Sequence, residues 1–479
     1  MAASVDGLHN DFSLMSFGEF EKSTGGEILF DFSDKQAFFS VAVDSRNASK
    51  DGLFIPLRGE KQDGHIYIEA ALKNGAVCFT ADDAYVSDAG NLSLVETLCR
   101  KYRACCVAVK NNLYALQAAA EFYLRKFPKL HKIGITGSSG KTTTKEILSA
   151  IYSVKYNTIT NKGNLNSETG LPLSVFMVRP EHEVGIFELG MNRRGEIREI
   201  AKVLLPNAAI ITNIGTAHIG ILGTQEAIVE EKKEIFSYFT NDCIGFVPEC
   251  KFTAFLKEIP CGTVYVYSQE HIQGIERIED AGVAGSKIKY KGEEILFPLP
   301  GKYNVQNAVA CIALAEKENF SPAEIKRGLE SVRTLFGRSQ IINGFITCFM
   351  DCYNANPDSM REAIEFCNSV KVDGLKHYVL ASMLELGDAS FESHLDIIKR
   401  ALSSNADIIY FFGDDIAGVS EMCENGNKKV LRFKTSEFEA LKTALKQNMR
   451  KGDFVLLKGS RGLALERLEE VVKGGGLYE

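Results

Sequence analysis

The chain has 479 residues, 45% of them hydrophobic and 24% charged, with no tryptophan. That length exceeds one core, and a prior of about 100–200 residues per domain predicts three domains. A formal net charge of −7 provides no global basic field to recruit nucleic acid or an acidic membrane. The opening MAASVDGLHNDFSLMSF has no basic stretch leading into an apolar one, so no secretory leader is expected. No apolar run approaches the roughly 18 residues of a membrane span, so stable membrane insertion is not expected. The twelve cysteines are scattered, several within apolar runs (Cys78, Cys311, Cys348), and none forms a paired C-x-x-C. Neither a disulfide framework nor a metal–thiolate site is expected, and the compartment implied is the reducing cytoplasm.

From the N-terminus to about 107, short strands (FSVAVDS, GLFIPL, AVCFTA) and a helix near 66–73 predict a small α/β domain. From 108 to 333, apolar strands KIGITG, YNTIT, EVGIFELG, NAAIITNIG, CIGFVP and TVYVYS alternate with helical patterns over 195–203 and 224–239. That alternation predicts a mostly parallel sheet with crossover helices, both faces covered. SKIKYKGEEILFPL alternates about Lys291-Gly292 and predicts a hairpin, with helices over 304–317 and 321–332 following. The last zone, 334–479, repeats the pattern: strands HYVLAS, DIIYFFG, KVLRFK and DFVLLKGS, with helices near 357–369, 390–403, 435–447 and 462–472. It predicts a second, doubly wound, Rossmann-like domain binding ligand at the carboxyl ends of its strands. The Gly474-Gly475-Gly476 tail is expected to fray.

The most informative stretch is IGITGSSGKTTT at 133–144. A strand enters a loop bracketed by Gly137 and Gly140, through Ser138 and Ser139, and a helix opens at Lys141-Thr142-Thr143. Backbone N–H groups of such a loop cradle a phosphate chain, the lysine adds charge, and the threonine hydroxyl reaches Mg²⁺. The usual first glycine of a P-loop would fall on Ile135, with Gly134 one place early. A nucleoside triphosphate is the ligand implied.

Glu188 and His218 lie just past strands of the zone that carries this loop, where ligands collect. A carboxylate and a neutral imidazole there could hold Mg²⁺, although that ion prefers oxygen. Capping or an ion pair is the plain alternative for Glu188, and a hydrogen-bonded structural role for His218. Lys232 falls on an apolar stripe with Ile228 and Ile235; snorkelling is the default reading. Lys233 lies beside Val229 and Phe236, so periodicity does not choose between them. Asn304 and Asn307 open a helix, as adenine readers or as caps. Arg338 sits at a domain junction, able to reach a phosphate. Asp351 ends a strand where it could hold a ribose hydroxyl, while Asn356 before Pro357 also reads as an N-cap. Lys458-Gly459-Ser460-Arg461-Gly462 suggests a carboxylate-binding nest.

Taken together, GITGSSGKTTTKE, NKGNLNSETGLP, FELGMNRRGEI, TNIGTAHIG, LPGKYNVQNAVA, FGR, DCYNANPDSM, LELG and LLKGSRG resemble the ATP-dependent Mur ligases of bacterial cell-wall synthesis. VDSRN, GLFIPLRG and DGHIYIEAAL extend the likeness over nearly the whole chain. ELGMN with GEI, the YNANP-SM string and KGSR favour the member that adds D-alanyl-D-alanine to UDP-N-acetylmuramoyl-tripeptide. A ligase adding a single amino acid, or a folylpolyglutamate-synthase-like enzyme, is the alternative.

The resemblance implies a UDP-sugar domain (1–107), an ATPase domain (108–333) and a C-terminal domain that closes over the amine (334–479). It implies ATP and two Mg²⁺ ions, with ATP contacts from the cradle residues 137–143 and from Asn307, Arg338 and Asp351. Metal contacts fall to Thr142, Glu188, His218 and Lys232; Lys232, fourteen residues after His218, occupies the place of a lysine carbamylated by CO₂. Catalytic roles fall to Lys141, Glu188, His218 and Lys232. Substrate contacts fall to Ser45, Arg46, Asn164, Asn192, Asn354, Asn356, Ser460 and Arg461. A cytoplasmic monomer is expected. Tyr303 stands where a histidine is usual in the family, Gly220 where an acid often follows AHI, and Ala381-Ser382 where Gly-Asp is common.

Overall fold

The computed structural model describes residues 12–59 and 62–474; the predicted fraying of Gly475 and Gly476 lies outside the described residues. Of these, the residues up to Lys132 form one compact unit with Ile159–Met191 and Arg198–Leu205. Ile133–Thr158, Asn192–Ile197 and the chain from Pro206 onward form the other.

In the first unit a five-stranded sheet has the order Glu27–Asp31, Cys105–Val109, Ala76–Asp82, Gly52–Phe54, Ser40–Ala42. The first pair is antiparallel and the rest are parallel. Cys105–Val109 is buried at every position, as expected of a strand covered on both faces. The three expected strands are present. The helix predicted over 66–73 begins as a 3₁₀ turn, Gly64–Tyr67, before Ile68–Lys73. Helices Ala89–Tyr102 and Asn112–Arg125 were not predicted; the first buries only Val95, Leu98 and Cys99, too narrow a stripe to read. This unit also carries the strand Val184–Glu188.

In the second unit, residues 133–136 pair in parallel with Ala208–Ile211, which is followed outward by Ile244–Pro248 and Thr263–Tyr267, all parallel. Helix Lys141–Tyr152 packs against Lys302–Lys317 and Pro322–Ser331. The predicted hairpin pairs the central strand, Ser286–Tyr290, with an edge strand, Glu293–Phe297, of a three-stranded antiparallel sheet whose other edge is Ile275–Asp280. Its turn puts Lys291 at φ 46° and Gly292 at φ 83°, the two positive angles that match the twist of the flanking strands.

The C-terminal sheet runs Gln340–Asn343, Thr347–Asp351, Phe454–Lys458, Lys376–Ala381, Ile408–Phe412, Lys429–Phe433. Only the first pair is antiparallel. Lys376–Ala381, Ile408–Phe412 and Phe454–Lys458 are buried throughout. Helix Pro357–Ser369 starts where proline presets φ and the Asn356 side chain accepts from Ser359 N. The helix expected over 462–472 is instead two 3₁₀ turns, Arg461–Leu463 and Leu465–Leu468, and the short helix Glu469–Val472. Ala464 at φ 50° interrupts the path. The helix expected over 224–239 ends at Lys233 and tightens into the 3₁₀ turn Glu234–Phe236.

Candidate active site

The cradle is shaped by backbone that tolerates no side chain. A Cβ on Gly137 would lie 1.8 Å from Thr212 Oγ1, and one on Gly140 would lie 2.5 Å from Asn307 Oδ1. Gly140 adopts φ 77° just before helix Lys141–Tyr152, where the N-cap makes no side-chain hydrogen bond, and the dipole at a helix N-terminus favours an anion. The loop is braced from Asn213: Ser138 N donates to its carbonyl (3.1 Å), Ser139 N to its Oδ1 (2.9 Å), and its amide donates to Ser139 Oγ (2.6 Å). Thr212 Oγ1 donates to Ser139 O at 2.5 Å. Lys141 folds back, Nζ donating to Gly137 O at 2.9 Å, so its charge sits over the loop. Thr142 is buried and Thr143 half-buried on the first turn.

His218 and Lys232 belong to this same unit, and both feel the Lys141 charge. Burial first, then Lys141 and Lys232, depress His218 to a pKa of about 4, so its imidazole is neutral at physiological pH. Its Nδ1 is buried without a hydrogen bond, and its backbone holds φ 65°, a left-handed conformation costing about 1–2 kcal/mol. Lys232 is 1% exposed. Burial, with Lys141, pushes its amine well below the ordinary lysine range, and no carboxylate pairs with it among the described residues. The neighbouring carboxylate is committed elsewhere: Glu231 accepts from Gly195 N (2.7 Å) and Ile197 N (2.9 Å), capping helix Glu196–Leu204. Lys233 lies 3.9 Å from the Phe255 ring centroid. Of the two lysines that periodicity left open, Lys232 is the buried one.

Glu188, in the first unit, ends the buried strand Val184–Glu188. Its Oε1 accepts from Asn166 Nδ2 at 2.7 Å, and Asn161 brackets its backbone, accepting from Glu188 N (3.0 Å) and donating to Glu188 O (3.1 Å). Neither asparagine was singled out from the sequence, although both lie in or beside the NKGNLNSETGLP string; Asn164, which was, is exposed. Ser45 is buried, its carbonyl taking Asn74 Nδ2 at 2.8 Å, and exposed Arg46 pairs with Asp44.

A cleft beside the P-loop helix is lined by Thr143, Asn304, Arg338 and Ser339. Asn304 is not a cap: its Nδ2 donates to Pro300 O (2.7 Å) and Ser339 Oγ (3.0 Å), while its buried Oδ1 has no donor. Tyr303 donates or accepts with Ser339 Oγ at 2.7 Å. Arg338 stacks 3.9 Å from the Tyr353 centroid. Asp351 is engaged, accepting from Lys458 Nζ (2.7 Å) and Ser339 N (3.0 Å). Asn354 is exposed and Asn356 serves as the N-cap described above. Ser460 Oγ accepts from Leu384 N at 2.9 Å, and Arg461 pairs with Glu466 at 2.7 Å. Asn192 is exposed, its N–H donating to Glu196.

The C-terminal sheet's loops reach the loop carrying His218. Glu385 Oε2 lies 3.7 Å from His218 Nδ1, and a Cβ on Gly220 would lie 2.7 Å from Glu385 O and from Gly387 N. A side chain at position 220 has no room here.

Family models match three stretches: the Mur ligase family catalytic domain over residues 39–123, the Mur ligase middle domain over 135–315, and the Mur ligase glutamate ligase domain over 337–461. The UDP-N-acetylmuramoyl-tripeptide–D-alanyl-D-alanine ligase of Treponema pallidum is 47% identical over 96% of this chain and 99% of its own. The enzyme of that name from Bacillus subtilis is 32% identical over 92% and 93%. Among solved structures, MurF from Acinetobacter baumannii superposes with a TM-score of 0.85 at 27% identity, covering 96% of this chain and 98% of its own. MurF from Thermotoga maritima, solved with ADP, gives 0.75 at 25% identity, covering 91% and 97%. A phosphate cradle beside a buried lysine and a neutral histidine, on a three-domain α/β architecture, defines an ATP-dependent ligase, and this chain belongs to the Mur ligase family.

Proposed function

We propose that this chain joins the amine of D-alanyl-D-alanine to the terminal carboxylate of UDP-N-acetylmuramoyl-tripeptide, converting ATP to ADP and phosphate. Its place is the assembly of peptidoglycan precursors in the cytoplasm, and it acts as a monomer. Residues 1–107 hold the UDP-sugar through Ser45 and Arg46, 108–333 bind ATP, and 334–479 bring the amine, with Ser460 and Arg461 towards the dipeptide. Asn164, Asn192, Asn354 and Asn356 complete the substrate contacts, and Asn307, Arg338 and Asp351 those to the nucleotide.

The observation that carries the reading is the grouping of Lys141, His218 and the buried Lys232, which no carboxylate pairs among the described residues, in the unit that holds the glycine cradle. In the first step a carboxylate oxygen attacks the γ-phosphorus and ADP leaves. The amine nitrogen then attacks the carbonyl carbon of the acyl phosphate, sheds a proton, and expels inorganic phosphate. Two anions must approach at the outset, and Lys141 supplies charge fixed at that point. Closure of the C-terminal segment excludes the water that would hydrolyse the acyl phosphate.

The neutral Nδ1 of His218, which has no hydrogen bond, would suit a metal, and the family resemblance would assign the oxygen ligands to Thr142 and Glu188. Mg²⁺ is commonly held through one or two carboxylates together with substrate phosphates. When bound, Mg²⁺ neutralises the phosphate charge. An ammonium cannot ligate a cation, but the neutral amine that burial favours at Lys232 could attack the carbon of CO₂ and release one proton to solvent, leaving a carbamate, which can.

Product mass after mixing ATP, the UDP-tripeptide and D-alanyl-D-alanine tests the reaction. A product enlarged by one dipeptide supports it; a phosphorylated acceptor, or a gain of one amino acid, overturns it. A carbamate carbon signal from protein equilibrated with ¹³C-bicarbonate, absent in Lys232→Ala, tests the modification.

A further inference from the structure

The loop that leads to His218 is gripped from the C-terminal part of the chain by one carboxylate. Asp358 Oδ2 accepts from Thr216 N (2.8 Å) and from Thr216 Oγ1 (3.0 Å). Asp358 lies in the first turn of helix Pro357–Ser369, yet both of these bonds leave its own helix. Its other oxygen takes Arg361 Nη1 at 2.9 Å, and Arg361 Nε is held by Asp396 at 2.8 Å, so the carboxylate is oriented before it meets the loop. Close approach depends on Gly215, where a Cβ would lie 2.4 Å from Asp358 Oδ2. Gly215 N in turn donates to Ser138 Oγ at 2.9 Å, and Ser138 N donates to Asn213 O. One short chain of hydrogen bonds therefore joins helix Pro357–Ser369 to the phosphate cradle and to the residue two positions before His218.

We propose that Asp358 is a positioning residue for the ligase reaction. It fixes loop 213–218 and the cradle serine in the arrangement that turns over, and does so only when the C-terminal part of the chain is seated on that loop. The binding of the amine-bearing domain is thereby coupled to the geometry of the phosphate site. This inference rests on the ligase reading above, and amine-dependent ADP release by the unaltered chain tests that reading separately.

The experiment measures kcat, KM and melting temperature for Asp358→Ala, Asp358→Asn, Thr216→Val and the double variant Asp358→Ala/Thr216→Val. Loss of a charge-assisted pair should lower kcat in Asp358→Ala about 10- to 100-fold, with KM for ATP changed less than about threefold. Asp358→Asn keeps an oxygen facing Thr216 but not the charge, and should recover about half of that loss on a logarithmic scale. Thr216→Val, which retains the backbone bond, should cost about fivefold, and the double variant should be no slower than Asp358→Ala. A kcat for Asp358→Ala within twofold of the unaltered chain, or fully multiplicative effects in the double variant, overturns the proposal. So does a fall in melting temperature with turnover per folded molecule unchanged. Should Asp358→Ala fail to fold, Asp358→Asn and Thr216→Val decide: unchanged kcat in both overturns the proposal, and a fall in both supports it.

Discussion

Lys376, at the start of a C-terminal strand, and Lys232, beside the phosphate cradle, are both buried, at 6% and 1% exposure, but in different company. The Lys376 ammonium donates to Cys367 O (2.8 Å) and Asn368 O (3.3 Å), carbonyls in the last turn of helix Pro357–Ser369, where a cation is welcome. Lys232 has the positive Lys141 nearby, and among the described residues no carboxylate forms an ion pair with it. Burial lowers both amines, but only one is given acceptors that justify its charge. A lysine buried with carbonyls is an architectural element; burial beside another cation instead lowers the Lys232 amine well below the ordinary lysine range.

That contrast breaks most readily at the cradle. Lys141→Ala should reduce turnover about 10³-fold or more while leaving affinity for the UDP-substrate within about threefold; ADP release and calorimetry measure the two. It should also relieve Lys232, whose amine would titrate higher. Lys232→Ala should lose about 10²- to 10³-fold in kcat with little change in melting temperature, and undiminished ADP release would remove the distinction between the two lysines. Lys376→Met should do the reverse, leaving kcat per folded molecule unchanged and costing about 1–3 kcal/mol in denaturant unfolding.

The smallest effect concerns Glu362, on the helix that carries Asp358. Burial, and then the Asp358 charge, raise its carboxyl to about 7. The folded state thus binds a proton that the unfolded chain releases near 4.5, so stability should fall as pH rises from about 4.5 through 7, by at most about 3 kcal/mol. Glu362→Gln should flatten that slope.

What was legible in the sequence is what local geometry writes there. The cradle showed because two glycines, an apolar strand before and a helix after are all dictated within 133–152. The parallel strands showed because burial on both faces leaves unbroken apolar runs. The final helix was misread because Leu463, Leu465, Leu468, Val471 and Val472 are all buried at spacings that a helix would share; the left-handed Ala464 leaves no such trace. Lys232 could not be separated from Lys233 by periodicity, since each lies on an apolar neighbour. The supports of Glu188, 22 and 27 residues away in sequence, and the Asp358–Thr216 bond, across 142, arise only once the chain has folded. The local geometry of the cradle was readable, and the hydrogen bonds between segments far apart in sequence were not.

At Gly220 and Gly387 two stretches of main chain touch with nothing between them: a Cβ on Gly387 would lie 3.1 Å from Gly220 Cα. Even a methyl group at either position would act as a wedge. A saturation library selected for cell growth should therefore return glycine alone at position 220.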